Sequence, residues 1–319
     1  MFGTLFKIAR PTNLLIVVAT AICCRYGFGY HFAPHYFTEH LTFWGMVLIA
    51  VLLTAGGNLI NDYFDYRVDR INRPNEVMVE KVIKRRVVIV SHLILTAIAI
   101  GLSIGISHFH RSVFPLVGTV GFALALIFYS PILKKKALIG NLMVAICTAF
   151  IPYWSMWPLH LSVMDIFHFG STAYWVFLFS AFAFTSTMAR EIVKDIEDMA
   201  GDQLEHYRTL PIILGIPTAK IYAMLFLIAN VVLVLLSVLG AQTTDMRHIN
   251  LEHPIFFKEN FAHYYSIMAV SGMILPLLIS AVFVALASRK SSFHRASMLI
   301  KWTMATGIIC ALILRFFYF

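Results

Sequence analysis

The chain has 319 residues, of which 60% are hydrophobic and only 13% carry a charge. Its mean hydropathy is +0.80. A soluble domain carries about 25% charged residues, so this composition excludes an ordinary soluble protein and identifies an integral membrane protein. The formal net charge of +9 does not call for nucleic acid as a partner, because basic residues in such a chain set its orientation in the bilayer.

A membrane helix needs roughly 20 apolar residues. Runs of that kind centre on 12–30, 42–61, 87–108, 113–131, 138–157, 172–190, 212–240, 263–287 and 298–318. Nine spans are therefore expected, the seventh long enough to tilt or to extend beyond the bilayer. The first run continues past Cys24 without a small-residue cleavage site and reads as a helix that stays. Cys23, Cys24, Cys147 and Cys310 all fall in apolar runs, without metal-ligand spacing, and read as small core residues.

Lys7 and Arg10 precede the first span. Seven basic residues between Arg67 and Arg86 follow the second, and Lys134, Lys135 and Lys136 follow the fourth. Arg190, Lys194, Arg208 and Lys220 surround the turn after the sixth, and Arg289, Lys290, Arg295 and Lys301 that after the eighth. Together these are 20 of the 25 Lys and Arg residues. Their alternation places the N-terminus in the cytoplasm and the C-terminus outside, which in a prokaryote means the cell membrane.

Eleven of the 16 acids fall in two stretches on that same side, 62–80 and 191–205. In the first, Asn61, Asp65 and Asp69 stand at i, i+4 and i+8. If the helix continues, an amide and two carboxylates share one face. Such a stack of like charges calls for compensation, and a divalent cation held by oxygen ligands would supply it. In the second, Asp195, Asp198 and Asp202 stand at i, i+3 and i+7, again on one face. Hard cations such as Mg²⁺ take one or two carboxylates each together with phosphate oxygens, so the two faces suit a metal-bound diphosphate. Arg70, Arg73, Lys134, Lys135 and Lys194 are placed to reach phosphate oxygens left free by the metal. Lys84, Arg85, Arg86 and Lys136 read as topology anchors. Arg25 lies inside an apolar run, where snorkelling to the outer headgroups and a role in a pocket are equally open. The two acidic stretches match in position if 1–135 and 136–290 are pseudo-duplicated halves of a single domain, with the last helix at 298–318 outside the repeat.

Asn61-x-x-x-Asp65-x-x-x-Asp69, running into Arg70-Ile71-Asn72-Arg73-Pro74-Asn75, resembles the first signature of the UbiA superfamily of intramembrane prenyltransferases. Lys194-Asp195-Ile196-Glu197-Asp198-Met199-Ala200-Gly201-Asp202, followed by Thr209-Leu210-Pro211 and Gly215, resembles the second. Arg10-Pro11 and Tyr129-Ser130-Pro131 before Leu133-Lys134-Lys135 are also similar to family elements. The resemblance implies an all-α polytopic fold, with about nine helices around a central cavity under a cytoplasmic cap. It further implies Mg²⁺-dependent transfer of a polyprenyl group from its diphosphate to a lipophilic acceptor among membrane lipids. On that reading Asn61, Asp65, Asp69, Asp198 and Asp202 hold metal. Tyr129 joins the basic residues on the diphosphate, and Asp65, Asp198 and Asp195 are catalytic. Asp195 or Asp62 is assigned the acceptor's proton.

Within the superfamily the motifs look most like enzymes that move geranylgeranyl from its diphosphate to a glycerol-phosphate ether lipid. Prenylation of an aromatic quinone precursor is the alternative. A CDP-alcohol phosphotransferase fits less well, because the acids lie in two distant stretches. A cation-coupled transporter also fits less well, because its acids belong near the bilayer midplane. The chain departs from the family pattern at Asn75–Lys81, in the spacing from Tyr129 to Lys134, and at His206-Tyr207-Arg208, where a glycine is usual.

Overall fold

A computed structural model describes residues 2–28, 37–158, 163–168, 171–243 and 261–318. Among them the chain is helical, with two isolated bridges, Val79 to Ile83 and Lys136 to Arg208, in place of any sheet. The helices are α1 (Phe2–Ile8), α2 (Pro11–Ile22), α3 (Phe37–Asn72), α4 (Arg85–His110), α5 (Phe114–Phe128), α6 (Ile139–Met156), α7 (Thr172–Leu204), α8 (Leu210–Thr243), α9 (Phe261–Ala269), α10 (Leu275–Leu286) and α11 (Lys290–Tyr318). Wider π-helical turns at Cys23–Phe28, Tyr129–Leu133 and Val270–Ile274 extend α2 and α5 and join α9 to α10.

Seven helices among the described residues are long and apolar enough to cross a membrane. The other two expected spans lie in the shorter apolar helix at Pro11–Gly27 and in α11. Residues 29 and 30 of the first expected span lie outside the described residues. The seventh span is interrupted near its start. Gly215 adopts φ 81° and ψ 160° inside α8, a conformation essentially closed to other residues, and Pro217 follows it.

The chain packs as two units. The first comprises Met1–Ala19, Pro34–Met143 and Asp198–Gly215, and the second Thr20–Ala33, Val144–Glu197 and Ile216–Phe319. In the first, α3 packs along α4 and α5. Close approach is possible because Gly56 faces His92 and Gly57 faces Leu126. Ile8, Leu59, Val79, Ile83 and Val88 form a core beneath the turn after α3. That turn contains Asn75–Lys81, the stretch that departs from the family pattern, and its Val79 is one of the core residues.

In the second unit α11 packs against α10 and the Cys23–Phe28 turn. Asn230 on α8 accepts hydrogen bonds from Thr185 and Ser186 on α7, at 2.8 and 3.2 Å. Such polar pairs hold helices together where no hydrophobic force between them operates. Arg25 is 1% exposed, so it is buried here and does not snorkel.

The outward faces of α4 and α5 carry exposed Leu, Ile, Val and Phe side chains, as a lipid-facing surface requires. By contrast, more than half of the apolar stretch is buried in both α3 and α7. These two helices carry the two acidic motifs.

Candidate active site

Helix α3 does not stop at the bilayer. Its 36 residues rise about 54 Å at 1.5 Å per residue, against a hydrocarbon core of about 30 Å. The motif occupies its last three turns, so Asn61, Asp65 and Asp69 share the face their spacing requires. Helix α7 likewise runs unbroken to Leu204, which keeps Asp195, Asp198 and Asp202 in helical register.

The first unit brings most of the expected residues together. Asp65 is 1% exposed. Its Oδ2 is ion-paired with the Lys134 ammonium and accepts a hydrogen bond from Asn61 Nδ2, at 2.6 Å. Burial disfavours the Lys134 charge, but Asp65, Tyr129 and Asp69 outweigh it and hold the ammonium's pKa above the ordinary lysine value. The Lys134 N–H donates to the Tyr129 carbonyl at 2.9 Å, although one more residue separates them than the family pattern has.

Asp198 receives two hydrogen bonds from Arg73, at 2.9 and 3.2 Å. Asn72, the last residue of α3, fixes the arrangement. Its Nδ2 donates to the Asp198 carbonyl at 2.8 Å, and its Oδ1 accepts from the Gly201 N–H at 3.0 Å. Gly201 is required here, since a Cβ would lie 2.5 Å from the Asn72 amide nitrogen. Asp202 is buried at 4% exposure, and Asp65, Asp69 and Lys134 are its charged neighbours along with Asp198.

Asp62 turns away from the motif face. Its Oδ1 accepts from Arg10 at 2.7 Å. Asn58, one turn earlier, donates to the Ala9 carbonyl at 2.8 Å. These two bonds tie the α1–α2 junction to α3, and at that junction Arg10 takes a left-handed φ of 56°.

Lys135 is exposed and lies over the Tyr207 ring at 5.3 Å. The Arg208 N–H donates to the Lys135 carbonyl at 2.8 Å. Burial and the nearby Asp65 charge push the Tyr207 hydroxyl up to about 12. The unusual His206-Tyr207-Arg208 segment is thus built against the Lys134–Lys136 turn. His206 itself holds the left-handed backbone, φ 58°, that a glycine would supply. Arg70, expected with the diphosphate ligands, instead lies over Tyr66 on an exposed face.

Lys194 and Asp195 belong to the second unit. There Lys194 pairs with Glu191 at 3.2 Å, and Arg190 pairs with the same carboxylate at 2.8 Å. Glu197 is held by His294 of α11 at 3.0 Å.

Among the described residues no group of three or more His, Cys, Asp or Glu side chains lies close enough to hold a metal ion. The donor set nevertheless fits a hard cation. Asn61 Oδ1 and Asp65 Oδ1 are buried oxygens without a hydrogen-bond partner. They stand one helical turn apart, and a buried oxygen left unpaired is costly. The role of Asn72 was not legible in its sequence beyond its place inside the first motif. Arg10 was legible only as part of Arg10-Pro11.

The model of the UbiA prenyltransferase family matches residues 15–246. A digeranylgeranylglyceryl phosphate synthase of Methanosphaera stadtmanae is 31% identical over 310 residues, covering 95% of this chain and 96% of that protein. The synthase of Thermococcus kodakarensis is 30% identical over 318 residues, covering 98% of each. Among solved structures, one from work on digeranylgeranylglyceryl phosphate synthase in membranes shares the fold with a TM-score of 0.63. It is 22% identical, over 98% of this chain and 99% of that one. A UbiA homolog from Archaeoglobus fulgidus, bound to DMAPP and Mg²⁺, has a TM-score of 0.55 and 14% identity over 97% and 99% of the two chains.

Proposed function

Because this chain belongs to the UbiA prenyltransferase family, we propose that it transfers a geranylgeranyl group from its diphosphate to the hydroxyl of a glycerol-phosphate ether lipid. The observation that carries this reading is the docking of the first acidic motif onto Asp198–Asp202 of the second within one unit, where Asn72 clamps the end of α3 to Asp198 and Gly201. Near-complete coverage of relatives named for this acceptor supports geranylgeranylglyceryl phosphate over an aromatic one.

Asn61, Asp65 and Asp69 from α3 would hold Mg²⁺ together with Asp198 and Asp202 from α7. When bound, the ion neutralises diphosphate oxygens and improves the leaving group. Arg73 and Lys134 are now paired with Asp198 and Asp65. They would turn their charge to the remaining phosphate oxygens, with Tyr129, Lys135 and Lys194 completing the set. The acceptor oxygen bonds to the first prenyl carbon as the bond from that carbon to the diphosphate oxygen breaks. The diphosphate leaves, and Asp195, one turn before Asp198 on α7, takes the hydroxyl proton. The apolar setting keeps water from the reacting carbon, whose charge builds as the leaving group departs. We read the two motifs as corresponding ends of two four-helix halves facing the cytoplasm.

Product analysis tests this reading. Purified protein supplied with geranylgeranyl diphosphate and Mg²⁺ should alkylate geranylgeranylglyceryl phosphate in preference to 4-hydroxybenzoate. Alkylation of the aromatic acceptor alone would replace the acceptor assignment, and no transfer to either would overturn the reading.

A further inference from the structure

Three guanidiniums surround one ring on the face of α3 that leads away from the metal ligands. The Arg85, Arg70 and Arg67 guanidinium carbons lie 4.4, 5.6 and 5.8 Å from the Tyr66 centroid. Arg67 Nε donates to the Tyr66 hydroxyl at 3.0 Å. Arg85 also covers Tyr63 at 4.3 Å and donates to the Tyr63 carbonyl at 3.3 Å.

Among the described residues no carboxylate is ion-paired with any of the three. Arg10, Arg73 and Arg190, by contrast, each hold one. Glu80 accepts only from the Arg85 backbone N–H, and Glu205 acts on Arg67 only through space. Arg85 Nε is buried without a hydrogen-bond partner. Stacking on Tyr66 orients these cations but does not neutralise them, so an anion that meets all three would find unpaired charge.

We propose that Arg67, Arg70 and Arg85, gathered on Tyr66, bind the phosphate monoester headgroup of the lipid acceptor, an inference that rests on the transfer proposed above. Guanidinium forks match phosphate oxygens two at a time. A monoester carries close to two negative charges at pH 7, whereas a phospholipid diester carries one, so three cations favour the monoester. The ligand is a lipid because Phe64, Ile71 and Val82 are exposed apolar side chains on the same stretch of chain. Arg70 follows Asp69 about 100° round α3, so a headgroup held there lies on the face adjoining that of the metal ligands, at the same level of the helix.

The test is steady-state kinetics combined with native mass spectrometry of the full chain. Arg85→Gln and Arg70→Gln should each raise the KM for geranylgeranylglyceryl phosphate about tenfold while leaving that for geranylgeranyl diphosphate within about twofold. Arg85→Lys, which keeps the charge but loses the fork, should fall between. The wild-type protein should retain phosphatidic acid, a monoester, in preference to phosphatidylglycerol, a diester, and Arg85→Gln should lose that preference. A rise in the diphosphate KM alone would make these residues donor ligands and overturn the proposal. Equal retention of the two lipids by the wild type would also overturn it, as general attraction to anionic lipid. If the wild type transferred nothing to the acceptor yet showed the monoester preference that Arg85→Gln lacks, the headgroup site would stand and the transfer reading would fail.

Discussion

Asn72, itself buried, makes two hydrogen bonds across the candidate site with a single side chain. Asn72→Ala leaves the Asp198 carbonyl and the Gly201 N–H without that partner. Both groups lie within α7 and keep their helical partners, so each loss is that of one hydrogen bond, about 0.5–1.5 kcal/mol. A lowered Tm together with a large loss of transfer is the expected outcome, measured by thermal unfolding and product formation on the same preparation. Lys136 is the counterexample. It is exposed and meets Arg208 only through a backbone bridge, so Lys136→Ala should change the transfer rate by less than about twofold, and a tenfold loss would make it a phosphate ligand. The spacing of Asn61, Asp65 and Asp69 was legible because helical periodicity converts sequence distance into a shared face. The partners of Asn72 and Asp62 were not, because Asp198 and Arg10 lie 126 and 52 residues away and only tertiary packing brings them near.

Helix ends do the positioning. α6 begins against the turn that carries Lys134, and a Cβ on Gly140 would stand 2.8 Å from the Lys134 Cα and 3.1 Å from the Leu133 carbonyl oxygen. Because those contacts are backbone, Gly140→Ala must push the Lys134 turn. Overpacking of this kind costs about 1–3 kcal/mol, and activity should fall further than thermal stability alone would explain. At the end of α7, His206 holds a left-handed backbone that costs a non-glycine residue roughly 1–2 kcal/mol. His206→Gly should raise the unfolding midpoint, less the added flexibility of the unfolded chain. An unchanged or lower midpoint would mean that the imidazole contributes more than the backbone strain takes away. That the family pattern prefers a glycine here was legible in the sequence. Which of the three intervening residues takes the left-handed position became visible only in the backbone.

At the scale of the molecule, composition and hydropathy sufficed for an all-helical membrane protein, and seven spans follow among the described residues. The remaining two expected spans are harder to read because α11 opens with Lys290, Arg295 and Lys301 and the first apolar helix is short. The second unit encloses an apolar cavity whose lining includes Phe182, Met273 and Gly307. A Cβ at Gly307 would stand 3.0 Å from Phe182 and 3.4 Å from Met273, so the glycine lets the Phe182 ring pack closely against the helix. The central claim is that the two acidic motifs act together on one diphosphate. Its most direct measurement is the Mg²⁺-dependent release of diphosphate from geranylgeranyl diphosphate in the presence of acceptor, by the wild type and by Asp65→Ala and Asp198→Ala, each shown to be folded and inserted. The account predicts release by the wild type alone, abolished by chelation and by either substitution. Near-normal release by either variant would contradict it.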